Sequence, residues 1–88
     1  MDLTRVLNSV GKSAFVKYYY NFKNLNRGEC VSRFEEDYTD KAKNTRTGHA
    51  QRIFKENQHI AALETIIKSD RVDFITRSKA KEILAKEK

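Results

Sequence analysis

Residues 13–23, SAFVKYYYNFK, decide the fold class of this 88-residue chain. Its aromatic residues recur at intervals of three and four, the spacing of one α-helical face, and those on this face are Phe15, Tyr18, Tyr19 and Phe22. The consecutive tyrosines also favour a strand, because aromatic side chains pack well on a pleated sheet. Since the helical spacing extends on both sides of them, we predict a helix with Ser13 as its N-cap and Tyr20 as its most exposed aromatic residue.

The same spacing continues along the chain and predicts an all-α protein, a small bundle of roughly four or five short helices around one core. One helix is predicted from Asp2 to Val10, and another from Arg27 to about Asp37 with Asn26 as its N-cap. The chain has no proline and three glycines, so little in its composition breaks a helix. The predicted core consists of Leu3, Val6, Val10, Phe15, Tyr19, Phe22, Val31, Phe34, Ala50, Ile53, Phe54, Ile60, Leu63, Ile67, Ile83 and Leu84.

Further helices separated by polar turns are predicted in the second half of the chain. Either Asp40 or Asn44 caps the next helix, and the polar residues 56–59 end it. After another apolar helical face, Asp70 or Asp73 caps the last helix. The C-terminal residues 85–88, AKEK, are expected to fray into solvent.

Length and cysteine content indicate one domain in a reducing compartment. Residues 1–88 are long enough for a single modest core. Cys30 is the only cysteine, so no disulfide can form within the chain, and a cytoplasmic location is expected. The N-terminus carries Asp2 and no long apolar run, which predicts neither a signal peptide nor a membrane span.

The net charge of +6 is concentrated in one stretch, Lys41–Lys55, KAKNTRTGHAQRIFK. This basic stretch holds five cations and no carboxylate, whereas residues 26–40 hold five acids and two bases. Such a stretch favours a polyanionic partner, so nucleic acid is the first candidate, and we expect neither a membrane nor a small-molecule substrate as a partner. The carboxylates of Glu35, Glu36 and Asp37 lie at the predicted end of the preceding helix, where the helix dipole disfavours them. The basic stretch is their expected partner.

A helical projection divides the basic stretch into two faces. Ala50, Ile53 and Phe54 define the buried side. The opposite, exposed side holds Lys41, Thr45, Gly48, Arg52 and Lys55. His49 and Gln51 flank that side, whereas Lys43 and Arg46 project toward the core, so the helix is predicted to begin near Asn44.

Residues 25–54 resemble a helix-turn-helix unit, in which a short apolar helix and a turn precede a basic helix. The stretch is similar to the C-terminal DNA-binding region of bacterial sigma factors, whose second helix enters the major groove. Its predicted connection, Tyr38–Lys43, exceeds the usual length and lacks glycine. The resemblance implies a non-enzymatic DNA-binding module. The candidate nucleic-acid-binding residues are Lys41, Lys43, Thr45, Arg46, His49, Gln51, Arg52 and Lys55.

Within that set we assign roles by chemistry. Lys41, Arg52 and Lys55 are the main candidates for phosphate contacts, and Lys43 and Arg46 are weaker ones. The side chains with hydrogen-bonding groups suited to base edges are Thr45, His49 and Gln51.

The alternative is a helical protein-interaction domain. Residues 44–69 are similar to one helical hairpin of the tetratricopeptide type, although no second copy follows at the expected period. This resemblance implies a protein partner or a homodimer. The acidic segment Glu35–Asp40 is the surface expected to face a basic partner.

Enzymatic chemistry finds little support in the residue pattern. His49 and His59 have no second ligand at a metal-binding spacing, and Cys30 fits a small core residue. Gly11-Lys12-Ser13 resembles the end of a phosphate-binding loop, but Val6 stands where that motif places its first glycine. We therefore expect no catalytic residues, metal or cofactor.

Overall fold

The computed structural model describes residues 1–88 and contains seven α-helices and no strand. The helices are α1 (Leu3–Val10), α2 (Lys12–Lys17), α3 (Tyr19–Asn24), α4 (Arg27–Arg33), α5 (Asp40–Lys55), α6 (His59–Lys68) and α7 (Phe74–Glu87). The all-α bundle is confirmed. There are more helices than expected, partly because the aromatic stretch divides at Tyr18 (φ −108°, ψ 21°) into α2 and α3.

Of the predicted caps, Asn26 and one of the two alternatives for the last helix, Asp73, are confirmed, whereas Ser13 and the pair Asp40 or Asn44 are wrong. The Asn26 side chain accepts a hydrogen bond from the Glu29 amide, and the Asp73 side chain accepts one from the Thr76 amide. Ser13 is not an N-cap, because α2 has already begun at Lys12. Gly11 separates α1 from α2 with a φ of +92°, a conformation that glycine adopts without strain.

The helix that carries the basic stretch begins earlier than predicted. Its N-cap is Thr39, whose hydroxyl accepts a hydrogen bond from the Ala42 amide at 3.1 Å. Asp40 and Asn44 therefore lie inside α5. The helix ends as predicted in the polar patch, where Asn57 takes a positive φ of 56°. There the Gln58 amide donates to the carbonyl of Ile53 at 2.8 Å, which closes the end in a Schellman arrangement.

Helix α4 ends at Arg33, several residues before the predicted end near Asp37. Phe34 leaves the helix in an extended conformation and is buried, with its ring 4.8 Å from the ring of Tyr18. Burial of this aromatic side chain explains why the chain turns inward here. Residues 34–39 become the connection to α5.

Helix α5 lies at the centre of the bundle. It packs against α1, α3, α4 and α6, while α7 packs against α6 and α2. The predicted core residues that are buried are Val6, Val10, Phe15, Tyr19, Phe22, Phe34, Ala50, Ile53, Leu63 and Ile83. Those that remain partly exposed are Leu3, Val31, Phe54, Ile60, Ile67 and Leu84.

The burial of Tyr18 and Cys30 agrees with their predicted places on apolar faces, and the other buried residues outside the predicted core list are Leu7, Ala14, Val16, Thr47, Ala62, Ile66, Thr76 and Ala80. Most of them lie beside predicted core positions on the same helix, so the buried face of each helix is wider than predicted. Thr47 is fully buried because α5 has neighbours on several sides, so even a polar position can be enclosed.

The C-terminal residues 85–88 were expected to fray, but the structure shows them ordered as far as Glu87. Helix α7 continues to Glu87, whose carboxylate accepts hydrogen bonds from the Tyr19 hydroxyl at 2.9 Å and the Lys23 ammonium at 2.8 Å. None of the helices has both the length and the apolar character needed to cross a bilayer.

Candidate nucleic-acid interface

The exposed side of α5 forms a stripe along the helix, and we define the α5 stripe as Lys41, Thr45, Gly48, Arg52 and Lys55. Four of its members are exposed and Gly48 is half-buried, as the helical projection predicted. From Lys41 to Lys55 the stripe extends about 21 Å along the helix axis. It lies on α5, which packs against α1, α3, α4 and α6.

Arg46 does not belong to this exposed surface. Its Nη1 donates a hydrogen bond of 2.6 Å to the carbonyl of Val10, and its guanidinium lies 4.1 Å from the centre of the Tyr38 ring. A Cβ atom on Gly11 would come within 2.9 Å of the same Nη1. Arg46 thus fastens the α1–α2 junction to α5 and is occupied within the fold.

Gln51 is also occupied within the fold. Its Nε2 donates to the carbonyl of Leu25 at 2.7 Å and to that of Phe22 at 3.3 Å. These carbonyls lie at the end of α3, where the helix leaves acceptors unpaired. Gln51 therefore satisfies the C-terminus of α3. Lys43, as expected, is half-buried rather than part of the stripe.

Arg27 contributes a cation to this surface that the sequence analysis missed. It lies at the start of α4, and its guanidinium crosses the α5 stripe at Gly48, so that a Cβ on Gly48 would overlap it. Arg27 is exposed and forms no ion pair. Gly48 could have indicated this contact, because a glycine in the middle of a helix often marks a place where another part of the chain comes close.

An open depression of about 290 Å³ surrounds this crossing. We call it the donor pocket, and it is lined by Arg27, Asn44, Thr45, Gly48 and His49. It contains no carboxylate and no apolar side chain. Guanidinium, hydroxyl and imidazole groups offer hydrogen-bond donors, which a phosphate group requires. Asn44 Nδ2 already donates to the carbonyl of Asp40 at 2.9 Å and keeps one further N–H.

The cations of the α5 stripe differ in whether they are already paired with a carboxylate. Lys41 and Lys55 form no ion pair, whereas Arg52 Nε lies 2.7 Å from Glu56 Oε2. The hydrogen bond from Arg52 lowers the pKa of Glu56. Both side chains are exposed, and water screens such an i,i+4 pair so strongly that it contributes little to stability. Arg52 can therefore exchange Glu56 for a phosphate at little cost.

The acidic segment does not pair with the basic stretch as expected. Lys17 of α2 instead lies 3.0 Å from a carboxylate oxygen of Glu35 and of Glu36, and the Tyr18 hydroxyl donates to Glu36 at 2.6 Å. These carboxylates are thus held against α2. The acidic segment reaches α2 because α4 ends early, at Arg33, and residues 34–39 then pass along α2 before α5 begins.

Other groups with chemical potential are inert or dispersed. The Cys30 thiol is buried and donates to the carbonyl of Asn21 at 3.2 Å. Burial raises its pKa, which disfavours the reactive thiolate. No group of three or more His, Cys, Asp or Glu side chains is placed to hold a metal ion.

Helices α4 and α5 pack against each other across a connection that runs from Phe34 to Thr39, earlier than the predicted Tyr38–Lys43. Comparison with known proteins adds no relative, since no family model, curated protein or solved structure matches the chain.

Proposed function

We propose that this protein is a non-enzymatic DNA-binding module that contacts duplex DNA through the α5 stripe and the donor pocket. The observation that carries the proposal is the donor pocket itself, in which Arg27 lies unpaired against Gly48 with no carboxylate in the lining. The pocket would hold one backbone phosphate. A cytoplasmic location is part of the proposal and is in keeping with the single free thiol.

The remaining contacts follow from position along the stripe. Lys41 and Lys55 meet phosphates on either side of the pocket, and Arg52 joins them when it releases Glu56. Thr45 and His49 are the base-side candidates, since both border the pocket. Arg46 and Gln51 are left out of the proposal, because their donors are used within the fold.

Fluorescence anisotropy with a mixed-sequence duplex at about 50 mM salt tests the proposal. With four cations at phosphates, Arg27, Lys41, Arg52 and Lys55, the logarithm of the affinity should fall with the logarithm of the salt concentration at a slope of about −3 to −4. The double variant Lys41→Glu/Arg52→Glu should bind at least about tenfold more weakly than a charge-matched control.

That control is Lys68→Glu/Lys81→Glu, which changes exposed cations on α6 and α7. Each double variant reverses two charges and lowers the net charge from +6 by four, to +2. An equal loss of affinity in both would show that the effect is one of net charge alone. That result, or no binding of the unaltered protein at micromolar concentration, would overturn the proposal.

A further inference from the structure

A second depression lies on α5 directly beside the donor pocket. It measures about 360 Å³ and is lined by Ser9, Thr39, Lys41, Ala42, Thr45 and Arg46. We call it the Ser9 pocket. Thr45 lines both pockets and therefore forms the wall between them. Neither pocket contains a carboxylate, whereas the two other depressions of the protein include Glu36 and Asp73 respectively.

The lining of the Ser9 pocket carries two positive charges. Lys41 is exposed and forms no ion pair. Arg46 is bonded through Nη1 to the carbonyl of Val10 and lies against the Tyr38 ring, so its charge is held in place although that N–H is used. An anion in this pocket would therefore meet one mobile cation and one fixed cation.

Hydroxyl groups complete the lining. The Thr39 hydroxyl accepts a hydrogen bond from the Ala42 amide, and its own O–H remains able to donate. On the α1 side of the pocket, the Ser9 hydroxyl donates to the carbonyl of Arg5 at 3.1 Å. Asp40, the nearest acid in the sequence, is exposed and lies outside the lining. Cations and hydroxyl groups without a carboxylate favour a phosphate group as the ligand.

The spacing of the two pockets matches one strand of DNA rather than two strands across the major groove. The α5 residues of the Ser9 pocket lie within 41–46 and those of the donor pocket within 44–49, so the midpoints differ by about 4.5 Å along the helix axis. The major groove is about 12 Å wide. Phosphates of one strand follow one another about every 3.4 Å along the duplex axis. Two pockets with a shared wall therefore suit neighbouring phosphates of one strand.

We infer that the Ser9 pocket and the donor pocket bind two consecutive phosphates of the same DNA strand. The inference rests on the proposed function and deepens it, because it gives the phosphate at Lys41 a defined pocket and adds α1 to the interface. Thr45 lies between the two phosphates, where its hydroxyl can donate to either of them. A strand that occupies both pockets fixes the position of α5 on the DNA backbone.

A small probe tests the pair of pockets directly. Thymidine 3′,5′-bisphosphate carries its two phosphates on opposite sides of one sugar, as consecutive phosphates of a strand are, whereas thymidine 5′-diphosphate carries them joined to each other. In NMR titrations of the isotope-labelled protein, the bisphosphate should bind at least about tenfold more tightly, because its second phosphate binds within the same molecule. The amide signals of Lys41 and Gly48 should shift on one common binding curve.

Either of two results of this titration would overturn the inference. One is a bisphosphate that binds no more tightly than the diphosphate. The other is a set of shifted signals that is confined to one of the two pockets.

A charge placed in the Ser9 pocket tests the inference on duplex DNA. Ser9→Glu should lower the affinity at least about fivefold and Ser9→Lys should raise it at least about threefold, because each new charge lies beside a bound phosphate. The matched controls are Thr4→Glu and Thr4→Lys, at an exposed position of the same helix outside all the depressions. Each control should change the affinity less than about twofold. Circular dichroism checks that the four variants keep their helices.

The outcomes on DNA separate the inference from the proposed function. If duplex DNA binds but Ser9→Glu and Thr4→Glu weaken binding equally, the inference alone is overturned. If duplex DNA does not bind, the proposed function fails and the inference fails with it. Opposite effects of Ser9→Glu and Ser9→Lys that are absent from the two controls would support both.

Discussion

Gly48 is the residue at which helix propensity and surface chemistry conflict. A glycine in mid-helix is less favourable than alanine by about 1 kcal/mol. At this position, however, the guanidinium of Arg27 occupies the space that a Cβ would take. The glycine therefore allows a cation from α4 to reach the α5 stripe.

We predict opposite effects of Gly48→Ala on stability and on binding. The free energy of unfolding should rise by about 0.5–1 kcal/mol, because alanine favours the helix and only the flexible end of Arg27 has to move. Affinity for duplex DNA should fall, because the donor pocket loses its guanidinium. Urea denaturation and fluorescence anisotropy measure the two effects.

The matched control is Gly28→Ala, another glycine within a helix. A Cβ there would meet only the Asn26 side chain, at an ordinary 3.6 Å. Its effect on DNA affinity should be negligible. If the two alanine variants bind DNA equally well, Arg27 has no role in the pocket.

Arg46 and Arg52 show how similar residues on one helix acquire different roles. Arg46 is half-buried and bonded to the carbonyl of Val10, whereas Arg52 is exposed and pairs only with Glu56. The helical projection separated them correctly, because it depends on rotation about one axis. It did not predict the partner of Arg46, which lies on another helix.

At the scale of elements, the connection 34–39 sets how α4 meets α5. The Tyr18 hydroxyl donates to Glu36 at 2.6 Å and accepts from the Glu35 amide at 2.9 Å, so one side chain of the aromatic stretch anchors the connection. Partial burial acts to raise the pKa of Glu36. The hydrogen bonds from Tyr18 and Lys17 outweigh it and lower that pKa below its ordinary 4.5.

The stability of this anchor should therefore depend on pH. Because the folded-state pKa of Glu36 is lowered, its contribution is complete above pH 4.5 and is lost as the pH falls through the folded-state pKa. We predict that Glu36→Gln loses stability at pH 7 but that its difference from the unaltered protein narrows as the pH falls below 4.5. Urea denaturation at several pH values measures this.

Tyr18→Phe is the companion variant, since it removes the hydroxyl that donates to Glu36 but leaves the ring. Like Glu36→Gln, this variant should show a smaller loss of the free energy of unfolding as the pH falls than the unaltered protein does. A constant difference between Glu36→Gln and the unaltered protein at all pH values would contradict the assigned role of the carboxylate.

At the scale of the whole molecule, Glu87 joins the last turn of α7 to α3. Its side chain is only 13% exposed and binds Lys23 of α3 as well as the Tyr19 hydroxyl. The hydrogen bond from Lys23 is the main cause of its lowered pKa, which the Tyr19 hydroxyl lowers further against the effect of burial. The last turn of α7 is thus part of the folded core rather than a tail.

We predict that Glu87→Ala lowers the free energy of unfolding by about 1–3 kcal/mol, because it leaves the Tyr19 hydroxyl and the Lys23 ammonium without their acceptor. The matched control is Glu82→Ala on the same helix, where an exposed carboxylate lies 3.7 Å from Lys86. That change should cost less than about 0.5 kcal/mol. Urea denaturation distinguishes the two, and equal effects would mean that α7 is not tied to α3.

The sequence by itself determined the all-α fold, the cap at Asn26 and the exposed side of α5, and it narrowed the cap of the last helix to Asp70 or Asp73. These features are local, because helical rotation and capping involve residues at most a few positions apart. The core was predicted in outline for the same reason, since apolar spacing identifies the centre of each buried face but not its width.

Only the tertiary structure decided which of the basic residues are available and what joins them. Arg27 reached the α5 stripe, Arg46 and Gln51 turned to backbone carbonyls, and the acidic segment paired with Lys17. Each of these contacts connects residues on different helices. Spacing along one helix cannot specify them, because they depend on how the helices pack and on which buried polar groups need partners.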